Sequence, residues 1–235
     1  MPFGMVLQET TEEGKDGEEA KKKIEKIKTR EGKAIKLVEL LDEARDRAIQ
    51  MFKERLESDQ ADTKVQVDVT KIEETAEKLG ISAIKYYDLK QNRIQNYVFS
   101  FDKMLDPKGN TGVYLLYMYV RIISILGKSK CGKDAATLAE LKEKSAFEIS
   151  NPSEKELALA ILRLPEQLEQ AVSDLQLNRV CDLLYEISIK IADFYRDSKV
   201  LDSPEEESRI LLLEAVRKVM EVSFNLLGMK TIEKI

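Results

Sequence analysis

The sequence has 235 residues, enough for one large domain or two modest ones with a sizeable core. Its 43% apolar and 34% charged residues are typical of a soluble globular protein, and no apolar run approaches the roughly 20 residues that span a bilayer. The net charge of −5 argues against indiscriminate nucleic-acid binding, which needs a broadly basic surface. We therefore expect a cytoplasmic protein with no membrane or DNA partner, in which any RNA contact comes from a local basic patch.

The absence of histidine excludes further classes of site. It removes the commonest general base, the commonest zinc ligand and every Ser-His or Cys-His nucleophile, and so argues against a self-contained hydrolase. The two cysteines, Cys131 and Cys181, lack metal-ligand spacing, and we interpret them as buried thiols. We expect no protein-bound metal or prosthetic group.

The N-terminal part begins with a short apolar run, residues 2–7, that is consistent with a strand. Residues 8–23 are hydrophilic and rich in Gly, Glu and Lys. Because such a segment buries almost nothing, it predicts a mobile insertion. A lipid- or RNA-binding role for the lysines at 21–23 is the alternative to a solvated loop.

Two helices are predicted next. Apolar residues recur at intervals of three and four between positions 37 and 56, which marks an amphipathic helix. Thr70 and Glu73 have the spacing of a capping box that opens a second helix. Gly80 either kinks that helix or allows close packing, because the apolar pattern resumes after it. Alternating aromatic residues at 97–101 favour a short strand.

Everything after a turn at residues 107–110 is predicted to be helical. Asn151 and Ser203 each precede a proline and acidic residues, as N-cap residues do. Pro165 interrupts the pattern, and Gly228 is a strong C-terminal stop. The predicted helices cover residues 113–126, 152–164, 175–200 and 204–227. We expect a mainly α protein in which these helices form an antiparallel bundle.

Residues 84–111 combine aromatic side chains with amides, bases and acids in one short, Gly-punctuated region: Ile84-Lys85-Tyr86-Tyr87-Asp88-Leu89-Lys90-Gln91-Asn92-Arg93, then Asn96-Tyr97-Val98-Phe99-Ser100-Phe101-Asp102-Lys103-Met104-Leu105-Asp106 and Gly109-Asn110-Thr111. This order resembles the junction between the catalytic and anticodon-binding domains of arginyl-tRNA synthetases. Asn92, Arg93 and Asp102 could connect the two domains or meet a ligand, and we favour the connection.

A second match lies upstream, at Ile27-Lys28-Thr29-Arg30-Glu31-Gly32. It resembles the form that the class I KMSKS loop takes in arginyl-tRNA synthetases, and residues 2–7 before it and 35–44 after it follow the family pattern. Read alone, such a run is a surface turn. The resemblance implies that Lys28 brings a cation to the ATP phosphates, with Thr29 and Arg30 supporting it, because a mobile loop can stabilise the charge on departing pyrophosphate.

The family's N-terminal HIGH motif, which contains histidines, has no counterpart in this sequence. The resemblance therefore implies the C-terminal portion of an arginyl-tRNA synthetase of the cytosolic eukaryotic type. Residues 1–106 would be the end of the class I catalytic domain, and residues 107–235 a DALR-type helical anticodon-binding domain. We expect this chain to bind tRNA without activating arginine, and the remainder of the catalytic domain to be a partner in the parent enzyme.

The bundle carries further matches, including Tyr114-Leu115-Leu116-Tyr117-x-Tyr119-x-Arg121, Asn178-Arg179-Val180-Cys181-Asp182 and Phe194-Tyr195-Arg196-Asp197-Ser198-Lys199. Reading the anticodon stem-loop of tRNA(Arg) needs flat π surfaces and hydrogen-bonding groups for unstacked bases, and cations for phosphates. Candidates for the first task are Tyr117, Arg121, Tyr195 and Arg196. Candidates for the second are Lys199, Arg209, Arg217 and Lys218.

Other interpretations stay open for these residues and for the chain. Tyrosines at helical spacing, such as Tyr114 and Tyr117, are often core residues with a surface hydroxyl. A non-catalytic helical module that docks proteins through Leu-rich faces is the alternative function. The polar and aromatic order of residues 84–125 argues against it, since protein docking does not require that order.

Overall fold

The computed structural model describes residues 2–12, 21–26, 36–59, 69–132, 134–144 and 147–233. Over these ranges the chain is mainly helical with one small sheet, as predicted. Among the described helices, none combines the length and apolarity that a bilayer span requires. The predicted ATP-phosphate loop with Lys28, Thr29 and Arg30 lies outside the described residues.

The sheet contains β1 (Val6–Glu12), β2 (Lys21–Lys26) and β3 (Tyr97–Phe99) in the order β2-β1-β3. β1 pairs antiparallel with β2 and parallel with β3. The prediction that residues 8–23 form a mobile insertion is wrong for positions 8–12 and 21–23, which lie in these paired strands. These positions are mostly polar, because backbone hydrogen bonds pair strands whatever their side chains, and lysines are common on edge strands such as β2.

Two long helices, α1 (Leu37–Asp59) and α2 (Val69–Leu89), pack closely against each other. Ala44 and Ala48 of α1 are fully buried. A Cβ at Gly80 would lie 2.9 Å from the carbonyl carbon and oxygen of Ala44. Gly80 therefore allows α1 and α2 to approach, and α2 continues through it as one helix.

Helix α3 (Phe101–Leu105) ends the N-terminal part, which is residues 1–106 of the predicted division. The helices after it form the predicted bundle: α4 (Gly112–Lys128), α5 (Ala135–Lys144), α6 (Pro152–Leu162), α7 (Leu164–Asp174), α8 (Asn178–Asp197) and α9 (Glu206–Leu226). The side chain of Asn151 accepts a hydrogen bond from the Glu154 amide, so its role as N-cap is confirmed. Arg163 separates α6 from α7, two residues before the break expected at Pro165.

The predicted starts of α8 and α9 were wrong, and α8 ends at Asp197 rather than at residue 200. α9 begins at Glu206 rather than Pro204, because the Ser203 hydroxyl donates to the Val200 carbonyl instead of capping the helix. α8 begins at Asn178 rather than Leu175, whose φ of 58° is left-handed. Gly228 has a φ of 66° and ends α9 as expected. Of the two cysteines, Cys181 is buried and Cys131 is half-buried.

Helix α2 joins the N-terminal part to the bundle. A Cβ at Gly112 would lie 3.1 Å from the Ala83 Cα, so α4 meets α2 almost backbone to backbone. The C-terminal segment returns to α2 as well: Lys85 donates to the Gly228 carbonyl at 2.6 Å, and the Lys230 amide donates to Ser82 at 2.9 Å. The buried residues consequently form one continuous core across the two parts.

Candidate nucleic-acid interface

The face shared by α4 and α8 brings three predicted residues together. Tyr117 and Arg121 lie one turn apart on α4, and Tyr195 lies near the end of α8. The Arg121 guanidinium carbon is 4.7 Å from the Tyr195 ring centroid and 5.8 Å from that of Tyr117. A cation held against aromatic faces at these distances is stabilised by the ring quadrupoles. The three side chains thus make one aromatic, positively charged surface, which we call the Arg121 platform.

Arg121 differs from the other predicted arginines in its partners. Within the described residues, no carboxylate oxygen lies within 4.0 Å of its guanidinium nitrogens, and its contacts are the two rings. A guanidinium carries five N–H donors in a fixed plane. Because ring contacts and no ion pair of the described residues hold the group, these donors stay available for acceptors outside the protein.

Tyr195 supports the platform with its ring. Its hydroxyl oxygen is buried and has no hydrogen-bond partner in the described part of the chain. Burial raises the pKa of the Tyr195 phenol, although the nearby Arg121 cation acts in the opposite direction. The phenol therefore stays neutral at physiological pH. Its ring also contacts Phe194, with the centroids 5.7 Å apart.

A second aromatic pair lies on the same two helices. Tyr114 of α4 and Tyr185 of α8 meet edge to face with centroids 6.3 Å apart. Both are half-buried, so Tyr114 packs between helices while keeping part of its surface accessible. The sequence interpretation did not single out Tyr185, although it sits ten residues before Tyr195 on the same helix.

Arg196 and Lys199 follow Tyr195 and are exposed. Arg196 forms ion pairs with Asp193 at 2.9 Å and Asp197 at 3.1 Å. Exposed pairs of this kind contribute at most about 1 kcal/mol and exchange readily for other anions. Lys199 follows α8, and its backbone carbonyl accepts a hydrogen bond from Arg209 at 2.9 Å.

Arg217 and Lys218 lie on α9, near another face of α4. Arg217 pairs with Glu214 at 2.7 Å and with Glu221, which also accepts a hydrogen bond from Tyr119 of α4. Tyr119 is two residues from Tyr117 and so projects from a different side of the helix. Burial acts to raise the pKa of Glu214, but the hydrogen bond from Arg217 holds that pKa below its usual range. The structure therefore does not bring Arg217 and Lys218 to the Arg121 platform.

Arg209 is buried in an internal network. Its side chain is 10% exposed and pairs with Glu154 at 2.7 Å and Glu205 at 3.0 Å. These contacts favour a structural role over the phosphate contact predicted from the sequence. The partners could not be read from spacing, since Glu154 and Arg209 are 55 positions apart.

The junction residues have structural partners. Arg93 donates to the carbonyls of Pro2 and Leu175, and so connects the N-terminal part to the bundle. Asp102 pairs with Arg47 of α1 at 2.9 Å. Asn92 accepts from the Ile94 amide within its own turn. The preferred connecting role is confirmed for Arg93, whereas Asp102 and Asn92 make contacts inside the N-terminal part.

Comparison with known proteins identifies both parts of the chain. Residues 115–235 match the family model of the DALR anticodon binding domain, and residues 2–101 match the class I (R) tRNA synthetase catalytic domain. The chloroplastic/mitochondrial arginine–tRNA ligase of Arabidopsis thaliana is 42% identical over 233 residues, covering 99% of this chain and 33% of that protein. The cytoplasmic enzyme of the same plant is 39% identical over 233 residues, covering 99% and 35%.

A solved structure agrees with these matches. The crystal structure of arginyl-tRNA synthetase from Plasmodium falciparum superposes with a TM-score of 0.72 at 33% identity, covering 86% of this chain and 34% of that one. The chain spans about a third of the length of the curated relatives that it matches. It therefore belongs to the arginyl-tRNA synthetase family and corresponds to the C-terminal region, in which a DALR anticodon-binding domain follows the end of the class I catalytic domain.

Proposed function

We propose that this chain is the tRNA-recognising region of an enzyme that ligates arginine to tRNA(Arg) with ATP, and that it binds the anticodon stem-loop through the Arg121 platform. The observation that carries this proposal is Arg121 itself, a cation held by two rings and by no carboxylate of the described residues. A protein-docking module would not need such a group, and the family matches also favour tRNA recognition over that alternative.

The chemistry of the platform suits an unstacked base. Anticodon bases project from a single-stranded loop, where they stack on aromatic rings and arginine planes and offer their edges to donors. Tyr117 and Tyr195 supply the rings, and the edge of Arg121 supplies donors for base or phosphate oxygens. Arg196 and Lys199 follow Tyr195 closely in the sequence and have exposed side chains, so they would add phosphate contacts. Arg217 and Lys218 remain weaker candidates because they lie near another face of α4.

A titration tests the proposal directly. The chain is titrated with an anticodon stem-loop of tRNA(Arg), and with a control stem-loop that differs only in its anticodon. We expect tighter binding of the first, and an about tenfold loss of that binding in Arg121→Ala, since base stacking is worth about 1–3 kcal/mol. The matched control is Arg163→Ala, which removes an exposed arginine paired with Glu186. Equal or undetectable binding of the two stem-loops would overturn the proposal.

The activity of the parent enzyme is a separate part of the proposal. Lys28, Thr29 and Arg30 would meet the ATP phosphates, and the remainder of the catalytic domain would supply the rest of the activation site. Exposed apolar side chains of the N-terminal part, including Phe3 (82%) and Leu37 (68%), would pack against that remainder. We expect no ATP–pyrophosphate exchange from this chain with arginine and tRNA present. Measurable exchange would contradict this.

Finer assignments rest on the sequence alone: the enzyme type and the domain boundary on the resemblance, and the location and the lack of a bound group on composition. We propose the cytosolic eukaryotic type, a cytoplasmic location, a domain boundary at 106/107 and the absence of a protein-bound metal or prosthetic group. Imaging of the tagged full-length product would test the location. Limited proteolysis followed by mass spectrometry would test the boundary.

A further inference from the structure

A buried ion pair lies beneath the connection between α8 and α9, residues 198–205. The Arg209 Nε donates to Glu154 Oε1 at 2.7 Å, and the two side chains are 10% and 3% exposed. Glu154 is oriented by its own partners: the Ser150 amide donates to Oε2 at 2.6 Å, and Asn151 Nδ2 donates to Oε1 at 3.0 Å. A buried carboxylate with this many donors holds the guanidinium in one place.

The other end of the guanidinium, Nη1, faces the connection and pairs there with Glu205 Oε2 at 3.0 Å. Arg209 Nη1 donates to the Lys199 carbonyl at 2.9 Å and lies 3.2 Å from the Ser203 hydroxyl. Asn151 Nδ2 also donates to the Ser198 hydroxyl, at 2.9 Å. These contacts hold the backbone on both sides of Lys199 against the protein interior. Ser198 and Val200 are buried, while the Lys199 side chain is exposed to solvent.

We infer that Arg209 is a positioning residue for RNA binding, which holds the backbone of Lys199 so that its ammonium meets a phosphate of the bound stem-loop. This inference rests on the proposed function. A lysine on a flexible connection loses chain entropy when it binds, and a backbone fixed beforehand avoids that cost. Arg209 thus contributes to affinity without touching RNA.

Double-mutant analysis of Arg209 and Lys199 tests the inference. The affinity of the chain for the tRNA(Arg) anticodon stem-loop is measured between about 50 and 200 mM salt, a range over which counterion release changes affinity strongly. We expect Lys199→Ala to weaken binding about fivefold and to lower the salt slope by about 0.7, the value for one phosphate contact on a single strand. Arg209→Lys keeps the charge but not the geometry, and should weaken binding about threefold and lower the slope in the same way.

The decisive variant combines both substitutions. If Arg209 acts through Lys199, adding Arg209→Lys to Lys199→Ala changes affinity by less than about twofold, because coupled residues are not additive. Additive losses, or an unchanged salt slope in Arg209→Lys, would overturn the inference. Ser203→Ala keeps the ion pair between Arg209 and Glu154 and removes one contact of Nη1. It should weaken stem-loop binding less than Arg209→Lys does, and it provides the test if Arg209→Lys does not fold.

Two controls separate this inference from the proposed function. Gly80→Ala perturbs the distant contact between α1 and α2 and should leave affinity unchanged at a temperature where it is folded. If the wild-type chain does not bind the stem-loop, both the proposed function and the inference fail. If it binds and Arg121→Ala abolishes binding while Arg209→Lys has no effect, the inference alone fails.

Discussion

The Arg121 guanidinium stacks 4.7 Å from the centre of the Tyr195 ring, while the hydroxyl of the same tyrosine is buried without a hydrogen-bond partner in the described structure. The ring and the hydroxyl of Tyr195 therefore have opposite effects. The ring orients a cation, and the hydroxyl carries the cost of an unpaired polar group. Substitutions that separate these two parts of the side chain give different outcomes.

Tyr195→Phe keeps the ring and removes the unpaired hydroxyl. We expect the free energy of unfolding to stay the same or rise by about 1 kcal/mol, and stem-loop affinity to change less than about twofold. Tyr195→Leu removes the stacking surface and should weaken binding about tenfold. Urea unfolding and a fluorescence titration measure the two quantities. A large loss of affinity in Tyr195→Phe would show that the hydroxyl, not the ring, serves RNA binding.

Gly80→Ala should destabilise the protein by about 1–3 kcal/mol, because a methyl group there overlaps the Ala44 carbonyl of α1. Gly127→Ala is the matched control. It lies in α4 with nothing within 4 Å of the added Cβ, and should stabilise by about 0.5–1 kcal/mol through helix propensity. Thermal unfolding followed by circular dichroism compares the two. A destabilising effect of the same size in both variants would contradict the packing argument.

Tyr86→Phe removes a hydroxyl that lies 2.6 Å from Asn110 Oδ1 and 3.0 Å from the Cys181 carbonyl. The loss leaves buried acceptors without a donor, so we expect destabilisation by about 1–3 kcal/mol. Tyr185→Phe, at a half-buried tyrosine of the same bundle, should change stability by less than about 0.5 kcal/mol. Urea unfolding at neutral pH distinguishes them. Similar losses of unfolding free energy in the two variants would mean that the hydrogen bond of the Tyr86 hydroxyl between α2 and α8 does not stabilise the protein.

Stability should fall in alkali. Burial raises the pKa of the Cys181 thiol and of the Tyr86 phenol above their ordinary values. These groups stay protonated in the folded state after they ionise in the unfolded state. Their stabilisation is complete below the pKa that each group has in the unfolded chain, near 8.5 for the thiol and about 10 for the phenol. Above that pKa, each group loses up to about 1.4 kcal/mol of stabilisation for every unit by which the pH rises.

Urea unfolding at a series of pH values measures this loss. Cys181→Ala should remove the part of the decline that begins near pH 8.5 and keep the part that begins near pH 10. An unfolding free energy that is constant across both ranges would refute the expected linkage.

Lys28→Ala, placed in the full-length enzyme, should slow arginine activation about 100-fold, since one preorganised charge-stabilising group is worth about that factor. Affinity for tRNA should stay nearly unchanged. Lys36→Ala is the control, because Lys36 is exposed just before α1 and lies 3.9 Å from Glu39. Pyrophosphate exchange and filter binding report the two effects. A large loss of tRNA binding would argue against the loop assignment.

Periodic features were predictable from the sequence and non-periodic ones were not. The amphipathic patterns gave α1, α2 and most of the bundle, and the Asn151 cap followed from its local sequence. The strands at 8–12 and 21–26 carry polar residues, and their pairing depends on backbone bonds that side-chain patterns do not report. The start of α9 was missed because Ser203 bonds back to Val200.

The same distinction applies to the candidate site. Tyr117 and Arg121 share a face through helical spacing, so their proximity could be predicted. That Tyr195 completes the Arg121 platform depends on the packing of α8 against α4, which spacing does not determine. Arg209 resembles any other cation in the sequence. Only tertiary contact with Glu154 removes it from the surface and turns it inward.

The contacts at Gly80 and Gly112 place α1, α2 and α4 in series: an added Cβ would lie 2.9 Å from the Ala44 carbonyl at the first crossing and 3.1 Å from the Ala83 Cα at the second. Each close approach occurs only where a glycine faces the neighbouring backbone, so one helix cannot slide along the next without bringing a larger residue into that contact. The three helices therefore form a rigid spacer. One end of the spacer carries Arg121, and the other is the start of α1, shortly after the position of Lys28 in the sequence. The distance between Arg121 and the start of α1 therefore depends on the glycines at the two crossings, and an added methyl group at either one would change it.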